Sequence, residues 1–261
     1  PLISSLTKGI DEFTIKSYVD LMVLNTRGKI GIPPDGFKAP DIFPWRYNRS
    51  LSYLNKPIIK IKNQKGEYVF LWSARFLKKS SDNLLANFHN GSLKLDKKSN
   101  KINELLSKRN NIKGREFREK VYSWLKTNTQ LRVIPNEVKI GTRGQLIADK
   151  NYGDIDILAI DEQLGTVYSI ECKNTNQAKT LYDFQRDLKN YKSKQIPKHV
   201  SREKWLINNI NQVIEKFKIP SSNVSVKSIF VSSHQLPAKF FNEEDLKMYS
   251  FAEFQSKRLF G

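Results

Sequence analysis

The sequence predicts an α/β fold in which a mixed central sheet is flanked by helices and is preceded by a smaller α+β domain. After residue 110 the periodicity runs in the order helix, three strands, two helices, strand, which is typical of a sheet covered by helices. Before residue 110, runs of β-branched and aromatic residues predict a hairpin beside short helices. The chain has 261 residues, of which 39% are hydrophobic, so it is long enough to bury a sizeable core.

The first 110 residues are expected to form the smaller domain, and residues 111–261 the larger one. The boundary is placed at Asn110-Asn111, after a polar and basic stretch that predicts a loop or linker. Helical spacing, clusters of glycine and proline, and β-branched runs define the elements of the smaller domain. They are a helix from after Lys8 to Leu24, irregular chain over residues 27–48, a hairpin of Ile58–Ile61 and Glu67–Leu77, a short helix over Asp82–His89, and the loop or linker over Lys94–Asn103.

The net charge of +19 indicates a polyanionic partner. Lys and Arg number 21 against 9 acids before Gly114, and 24 against 17 from there on, so the smaller domain is the more basic. We expect nucleic acid, DNA first, rather than a membrane surface. No apolar run approaches the roughly 20 residues of a membrane span, and the N-terminus lacks a secretory apolar segment. A cytoplasmic protein is therefore expected.

Basic residues beside aromatic or glycine residues are the candidate nucleic-acid contacts. Residues 42–49 interleave aromatics with arginines, which suits stacking on bases and contact with phosphates; packing in the core of a small domain is the alternative for these aromatics. The stretch Gly141–Gly144 is either a basic glycine loop that approaches a phosphate backbone or simply a turn. The candidate contacts are Arg46, Arg49, Lys60, Lys62, Lys65 and Arg143.

The single cysteine and three histidines exclude a disulfide framework and a zinc cluster. Cys172 falls on a predicted inner strand, so it is expected to be a small buried hydrophobe in a reducing compartment. His89, His199 and His234 are scattered along the chain and are expected to be surface or locally bonded residues.

The stretch Gly153–Lys173 predicts the β-hairpin around which a functional site can be built. An apolar run from Ile155 to Ile160 precedes a polar turn and a second strand, from Thr166 to Cys172. Side chains alternate between the two faces of a strand. One face is therefore expected to carry Asp154 and Asp156 from the first strand and Glu171 and Lys173 from the second, while Ile155, Ile157, Ala159, Ile170 and Cys172 lie on the other.

Charged groups on one side of an apolar strand pair are costly to bury unless something pairs with them. A divalent cation is one such partner, because Mg²⁺ takes carboxylate and carbonyl oxygens and leaves positions for substrate phosphate. Asp156, Glu171 and the backbone carbonyl of Cys172 could supply this site. Lys173 would then position or help deprotonate an attacking water, or neutralise charge that develops on a phosphate. A solvated polar edge of the sheet is the alternative.

These residues resemble the signature of the PD-(D/E)xK nuclease superfamily, the fold of many restriction endonucleases and of archaeal Holliday-junction resolvases. The matching residues are Gly153-Asp154-Ile155-Asp156-Ile157-Leu158-Ala159 and, with fourteen residues between Asp156 and Glu171, Glu171-Cys172-Lys173. The resemblance covers residues 112–233 and implies a restriction-endonuclease-like central sheet. It also implies an endonuclease that uses Mg²⁺, for which Mn²⁺ can substitute, with Asp156 and Glu171 as ligands, Asp154 as an auxiliary acid and Lys173 as the catalytic lysine.

In the resembling family, the helix that opens the domain often carries a further acid just after the aromatic residue of a Gly-x-x-Phe start. Here that position is Arg118, with Glu116 and Glu119 on either side. Glu116 is the candidate we prefer as an outer catalytic acid, and a solvated helix face is its alternative. The opening helix is predicted over Gly114–Thr127, with an apolar face of Phe117, Val121, Trp124 and Leu125.

The remaining segments are expected to complete the sheet and cover it. They are a strand over Leu131–Ile140 with an irregularity at Pro135-Asn136, helices over Ala178–Lys194 and Ser201–Lys218, a strand over Val224–Val231 and a terminal helix over Phe251–Leu259.

Three functions follow from these observations. The first is a metal-dependent endonuclease acting on DNA in restriction, phage defence or repair. The second is a non-catalytic nucleic-acid-binding module on the same scaffold, which the departure at Arg118 favours. The third is RNA cleavage, because phosphate contacts do not read the sugar. A homodimer is left open, and since the chain begins at Pro1 rather than Met we expect further domains or subunits.

Overall fold

Strands of three mixed sheets, flanked by helices, confirm the predicted fold class. This is a computed structural model that describes residues 16, 19–46, 49–91, 93, 100–178, 180–220, 223–241, 246–257 and 259–260, with backbone alone at residues 100–102. The described chain divides into two units. The N-terminal unit holds the residues up to Leu106 together with Thr180–Asp183, and the C-terminal unit holds residues 107–179 and 184–261.

The N-terminal unit contains a three-stranded sheet in the order β1-β2-β3. Strand β1 runs parallel to β2, and β2 and β3 form the predicted antiparallel hairpin. The turn is closed by Asn63, whose Oδ1 accepts hydrogen bonds from the backbone nitrogens of Lys65 and Glu67, both at 2.9 Å. The bounds are β1 Val23–Asn25, a 3₁₀ helix Ala39–Asp41, β2 Ile58–Lys62, β3 Tyr68–Leu71 and α1 Ala74–His89.

The bounds of three N-terminal predictions are wrong. The second hairpin strand ends at Leu71, because Ser73 caps a helix instead: its Oγ accepts a hydrogen bond from the backbone nitrogen of Phe76. The predicted short helix is therefore longer and begins at Ala74. The first predicted helix gives way to β1 at Val23, and much of it lies outside the described residues. Irregular chain is confirmed over the described residues 27–46, apart from the short 3₁₀ helix.

The C-terminal unit contains a five-stranded sheet in the order β11-β10-β9-β8-β4 and a small sheet in the order β6-β5-β7. Strand β10 runs parallel to β9 and β11, whereas β8 is antiparallel to β9 and β4. The strands are β4 Arg132–Val133, β5 Val138–Gly141, β6 Leu146–Ile147, β7 Gly153–Ile155, β8 Ile157–Asp161, β9 Thr166–Lys173, β10 Ser225–Ser232 and β11 Lys247–Ser250. The helices from residue 100 onward are α2 Asn100–Asn128, α3 Leu181–Asn190, α4 Ile196–Asn208, α5 Ile210–Phe217 and α6 Phe251–Ser256, with a π-helical turn at Tyr191–Gln195 and a 3₁₀ helix at Pro237–Phe241. The first residues of α2 and α3, up to Leu106 and Asp183, belong to the N-terminal unit.

Apolar side chains cover both faces of the central sheet, which is why every residue of β8 is buried. On one face, Phe117, Val121 and Leu125 of α2 pack in the same cluster as Ile157 and Ile170, as the predicted apolar face of that helix requires. On the other face, Leu158, Ile160 and Val167 pack with Trp205, Leu206 and Val213 of α4 and α5.

Several bounds in the C-terminal unit differ from the prediction. Helix α2 begins at Asn100, so it includes residues 100–103 of the expected loop and passes through the proposed boundary at Asn110-Asn111. The strand predicted over Leu131–Ile140 is two strands, β4 and β5, in different sheets, because the chain bends at Pro135-Asn136. The helix predicted over Ser201–Lys218 is divided at Asn209, whose backbone angles of −119° and 30° are not helical.

The strand predicted over Val224–Val231 is confirmed as β10. The terminal helix ends earlier than predicted, at Ser256. Within the described ranges, no helix has both the length and the apolar character needed to cross a bilayer.

Candidate active site

Asp156 lies at a bend between two strands that belong to different sheets. Strand β7 before it pairs with β5, and strand β8 after it pairs with β9. The prediction that Ile155 shares a face with Ile157 is wrong, because Ile155 packs with the α4 and α5 cluster and Ile157 with the α2 cluster. The bend at Asp156 interrupts the alternation of side chains that holds within a straight strand.

The bend lets Asp156 make contacts with two neighbouring elements. Its Oδ2 accepts a hydrogen bond of 2.7 Å from the backbone nitrogen of Cys172 on β9. Its backbone carbonyl accepts a hydrogen bond of 2.9 Å from Nε of Arg118 on α2. The carboxylate is therefore fixed beside the end of β9.

Glu171 and Lys173 lie on the same face of β9, as predicted. Lys173 Nζ is 2.7 Å from Glu171 Oε1, while Ile170 and Cys172 belong to the core cluster on the opposite face. The Glu171 side chain is 7% exposed and that of Lys173 is 36% exposed, so the pair extends from the interior to solvent. Cys172 is a free, buried thiol, as expected.

Arg202 was missed by sequence reasoning, although it completes the cluster. Its guanidinium Nη2 contacts Glu171 Oε2, and its Nη1 donates to the backbone carbonyl of Asp154. Glu171 therefore binds Lys173 through one carboxylate oxygen and Arg202 through the other. The signal in the sequence is that Arg202 stands four residues before buried Leu206, on the apolar face of its helix, where a solvated cation is not expected.

His199 was expected to be a surface or locally bonded residue, and that prediction is wrong. The side chain is fully buried, and among the described residues neither ring nitrogen has a hydrogen-bond partner. Its ring packs edge-on against Phe230 of β10, with 6.2 Å between ring centroids. The cause is its position three residues before Arg202, on the inward face of α4. His89 and His234 are exposed, as predicted.

The two carboxylic acids have opposite pKa shifts. Burial, followed by repulsion from Glu171, raises the pKa of Asp156 to about 6, although Lys173 and the Cys172 hydrogen bond oppose the rise. Burial would also raise the pKa of Glu171, but the charges of Arg202 and Lys173 outweigh it and lower that pKa below its ordinary value. As the pH falls through about 6, Asp156 is thus the acid that takes up a proton, while Glu171 stays ionised.

The basic side chains of the cluster also separate into two charge states. Burial would lower the pKa of Lys173, but the charges of Glu171 and Asp156 outweigh it and raise that pKa, so the amine is protonated at neutral pH. Burial and then the charge of Arg202 lower the pKa of His199 to about 4, so its imidazole is neutral at the same pH.

Arg118 occupies the position that carries an acid in the resembling family, and its guanidinium contacts this site. Arg118 contacts the Asp156 carbonyl through Nε and donates from Nη2 to the carbonyl of Pro135 at 2.9 Å. Consecutive helical residues are about 100° apart, so Glu116 points about 200° away from Arg118 around α2. Glu116 is exposed, and Glu119 pairs with Arg118. The role of Glu116 as an outer acid stays a prediction, as does that of Asp154, whose side chain is exposed.

The candidate nucleic-acid contacts differ in how free their side chains are. Arg46 is 3.8 Å from Asp41 and lies over the ring of Tyr182, and Nη1 of Arg49 donates to the carbonyl of Pro44 at 2.9 Å, so both arginines have partners within the N-terminal unit. The exposed candidates are Lys62 on β2, Lys65 at the hairpin turn and Arg143 at the Gly141–Gly144 turn, while Lys60 is half-buried. Their contacts with nucleic acid stay predictions.

In the described part of the chain, no three His, Cys, Asp or Glu side chains are arranged to hold a metal ion. The site offers two carboxylates, those of Asp156 and Glu171, and the backbone carbonyl of Cys172, the residue that follows Glu171. This donor set fits Mg²⁺ or Mn²⁺, which retain waters or phosphate oxygens as ligands, and does not fit zinc, which takes three or four protein ligands. Burial and then repulsion from Glu171 raise the pKa of Asp156, and a cation bound by both carboxylates would offset both effects.

A family model described as anti-phage protein Upx-like matches residues 4–249, which is most of the chain. No curated protein and no solved structure matches the sequence or the fold.

Proposed function

The chain belongs to the Upx-like family of anti-phage proteins, and from this premise we propose that it acts in phage defence as a Mg²⁺-dependent nuclease that hydrolyses phosphodiester bonds of DNA. The family description suggests defence and says nothing of the chemistry. The observation that carries the nuclease proposal is the convergence of Asp156, Glu171 and Lys173 at the end of β9. These are the residues on which the resemblance to the PD-(D/E)xK superfamily rests.

Asp156 and Glu171 would hold the cation through their carboxylates, with the carbonyl of Cys172 as a further oxygen ligand. When bound, a divalent cation polarises a phosphoryl oxygen and lowers the pKa of a coordinated water. Arg202 keeps Glu171 ionised while that carboxylate is buried, so a charged ligand is available before any cation arrives.

Lys173 acts as a cation in this proposal rather than as a base. In the cluster without a cation, the charges of Glu171 and Asp156 raise its pKa and keep the amine protonated at neutral pH, which favours this role. It can donate hydrogen bonds and supply positive charge to a phosphate whose negative charge grows in the transition state. Its partial exposure places the amine at the solvent side of the cluster, where a phosphate backbone can reach it.

A non-catalytic nucleic-acid-binding role is the second candidate function. It is favoured by the occupation of both Glu171 oxygens by Lys173 and Arg202, and by the guanidinium of Arg118 in the position of an expected acid. In that case the cluster is a buried ion-pair network that fixes the geometry of the domain. In either role, RNA is the alternative to DNA as the nucleic acid that is bound.

The proposal is tested by incubating the full chain with single-stranded, duplex and branched DNA and with RNA, in Mg²⁺, Mn²⁺ or EDTA. We expect cleavage of DNA that EDTA abolishes and that the Glu171→Gln variant lacks. The exposed Glu215 on α5 provides the matched control, since Glu215→Gln removes the same charge away from the cluster. Nucleic-acid binding without cleavage in any metal would instead support the second function.

A further inference from the structure

We propose that one face of the N-terminal sheet is a platform on which bases of single-stranded nucleic acid stack. The platform consists of Lys60 and Lys62 from β2 and of Tyr68 and Phe70 from β3. The inference names the form of nucleic acid that the protein binds, and in that sense it rests on the proposed function. It does not require that the protein cleave what it binds.

The register of the hairpin brings the four residues to one face. Lys60 is paired with Phe70, and Lys62 with Tyr68, in the antiparallel ladder between β2 and β3. Residues directly opposite each other in such a ladder project from the same face. The ammonium of Lys60 lies 4.0 Å from the ring centroid of Tyr68 and 5.8 Å from that of Phe70, and the ammonium of Lys62 lies 5.4 Å from that of Tyr68.

Both aromatic rings of the platform are open to solvent. Tyr68 is 58% exposed and Phe70 is 50% exposed. Large aromatic side chains usually contribute to the core, because they bury more apolar area than other residues. The opposite face of the same hairpin carries Ile59 and Leu71, which line an open apolar pocket with Phe76 of α1. Tyr68 and Phe70 instead project from the face of β3 that also carries the two lysines.

This combination matches the chemistry of a single strand. Bases stack on aromatic rings without regard to their identity, and basic groups beside the rings pair with the phosphates. Residues two apart on a strand are separated by about 6.5–7 Å, so Tyr68 and Phe70 can each take one base. The bases of a duplex are already stacked on one another, and their faces are not available to a protein ring.

The lysines do not block the platform. A cation over an exposed ring is held weakly, whereas a stacked base contributes more to binding. A base that replaces the ammonium of Lys60 over Tyr68 also brings a phosphate with which that ammonium can pair. The residues before Gly114 include 21 Lys and Arg against 9 acids. This positive charge attracts a nucleic-acid strand to this part of the chain over a long range.

The test is the affinity of the full chain for a labelled single strand and for the duplex of the same sequence, in EDTA so that cleavage cannot occur. We expect Tyr68→Ala and Phe70→Ala each to weaken single-strand binding by about fivefold to a hundredfold, and to leave duplex binding almost unchanged. Tyr68→Phe keeps the ring and should keep the affinity. The control is Phe240→Ala, which removes an exposed aromatic from the C-terminal unit.

A second set of variants separates stacking from charge. Lys60→Gln and Lys62→Gln should each reduce the slope of log affinity against log salt by about 0.7 on single strands, and the aromatic variants should leave that slope unchanged. If Tyr68→Ala loses its fold, as a melting curve would report, Tyr68→Leu retains apolar bulk on the strand and should still lose affinity. Equal losses for single strand and duplex, or no loss with either aromatic variant, overturn the platform.

Failure of the platform and failure of the nuclease proposal give different results. A chain that binds single strands through Tyr68 and Phe70 but cleaves no nucleic acid contradicts the nuclease proposal alone. A chain that cleaves DNA with unchanged single-strand affinity in the aromatic variants contradicts the platform alone.

Discussion

The guanidinium of Arg202 contacts the carboxylate of Glu171 inside the C-terminal unit, where the two side chains are 2% and 7% exposed. A charge removed from water is costly unless a partner of opposite charge accompanies it. Because Glu171 is also paired with Lys173, the two cations together keep its pKa low despite its burial. The contact therefore explains how an ionised acid is maintained at the end of a buried strand.

Removing the Arg202 guanidinium should destabilise the protein strongly. Arg202→Met leaves Glu171 buried with a single cationic partner, and breaking a buried pair in this way costs about 3–5 kcal/mol. The free energy of unfolding, measured in denaturant, gives the loss. Arg186→Met is the control, because its pair with Asp187 is half exposed and should be worth less than about 1 kcal/mol. Equal effects of the two substitutions would mean that the Arg202 pair is not sequestered from water.

His199 should make the protein less stable as the pH falls. Its pKa of about 4 in the folded state lies below its ordinary value of 6.5, so the unfolded chain binds more protons between these pH values. Stability is fully present above pH 6.5 and is lost as the pH falls towards 4, by about 3 kcal/mol at 1.36 kcal/mol per pKa unit.

The measurement is the difference in unfolding free energy between the wild-type protein and His199→Gln across pH 4–7. Taking the difference removes the contribution of Asp156, which has the opposite sign because its raised pKa favours the folded state at low pH. Parallel curves for the two proteins would contradict the buried neutral imidazole.

Cation binding should depend on pH through Asp156. A carboxyl group with a pKa of about 6 must lose its proton before it can bind a cation, so affinity for Mn²⁺ or Mg²⁺ should fall as the pH drops below 6. The expected fall approaches about tenfold per pH unit, and Asp156→Asn should remove most of the binding. Calorimetric titration of the protein with the cation, at several pH values between 5 and 7, measures this affinity. An affinity that is constant over this range would show that Asp156 does not bind the cation.

Gly144 should not tolerate a side chain. A Cβ atom at this position would lie 2.3 Å from the carbonyl oxygen of Lys139, which is backbone and cannot move aside freely. We expect Gly144→Ala to destabilise the protein by about 1–3 kcal/mol, as overpacking does. Gly141→Ala is the matched control, since the nearest atom to its Cβ would be 3.5 Å away, an ordinary contact. Similar melting temperatures for both variants would contradict the close approach at this turn.

The sequence was sufficient to predict the fold class and the charged face of β9. Alternation of side chains in a straight strand placed Glu171 and Lys173 together with Ile170 and Cys172 behind them. The same rule was wrong for Ile155, because no local pattern distinguishes a strand that continues through Asp156 from one that bends there and changes sheet. Periodicity describes a single element and contains no information about breaks between elements.

The pairing of Glu171 with Arg202 could not be predicted, for a related reason. Arg202 is 31 residues away from Glu171 in the chain, and the pair forms only when α4 packs against the sheet. An arginine on the apolar side of an amphipathic pattern is a usable signal, but it does not identify the acid that it meets. The burial of His199 is determined by the same packing and was likewise predicted wrongly.

The most direct test of the central claim is the rate of DNA cleavage by Lys173→Ala under single-turnover conditions with saturating Mg²⁺. If Lys173 stabilises charge in the transition state, the rate should fall by about a hundredfold or more, while the affinity for DNA in EDTA changes little. Lys216→Ala, an exposed lysine on α5, should leave both quantities unchanged. Undiminished metal-dependent cleavage by Lys173→Ala would contradict the claim that this cluster is the catalytic site.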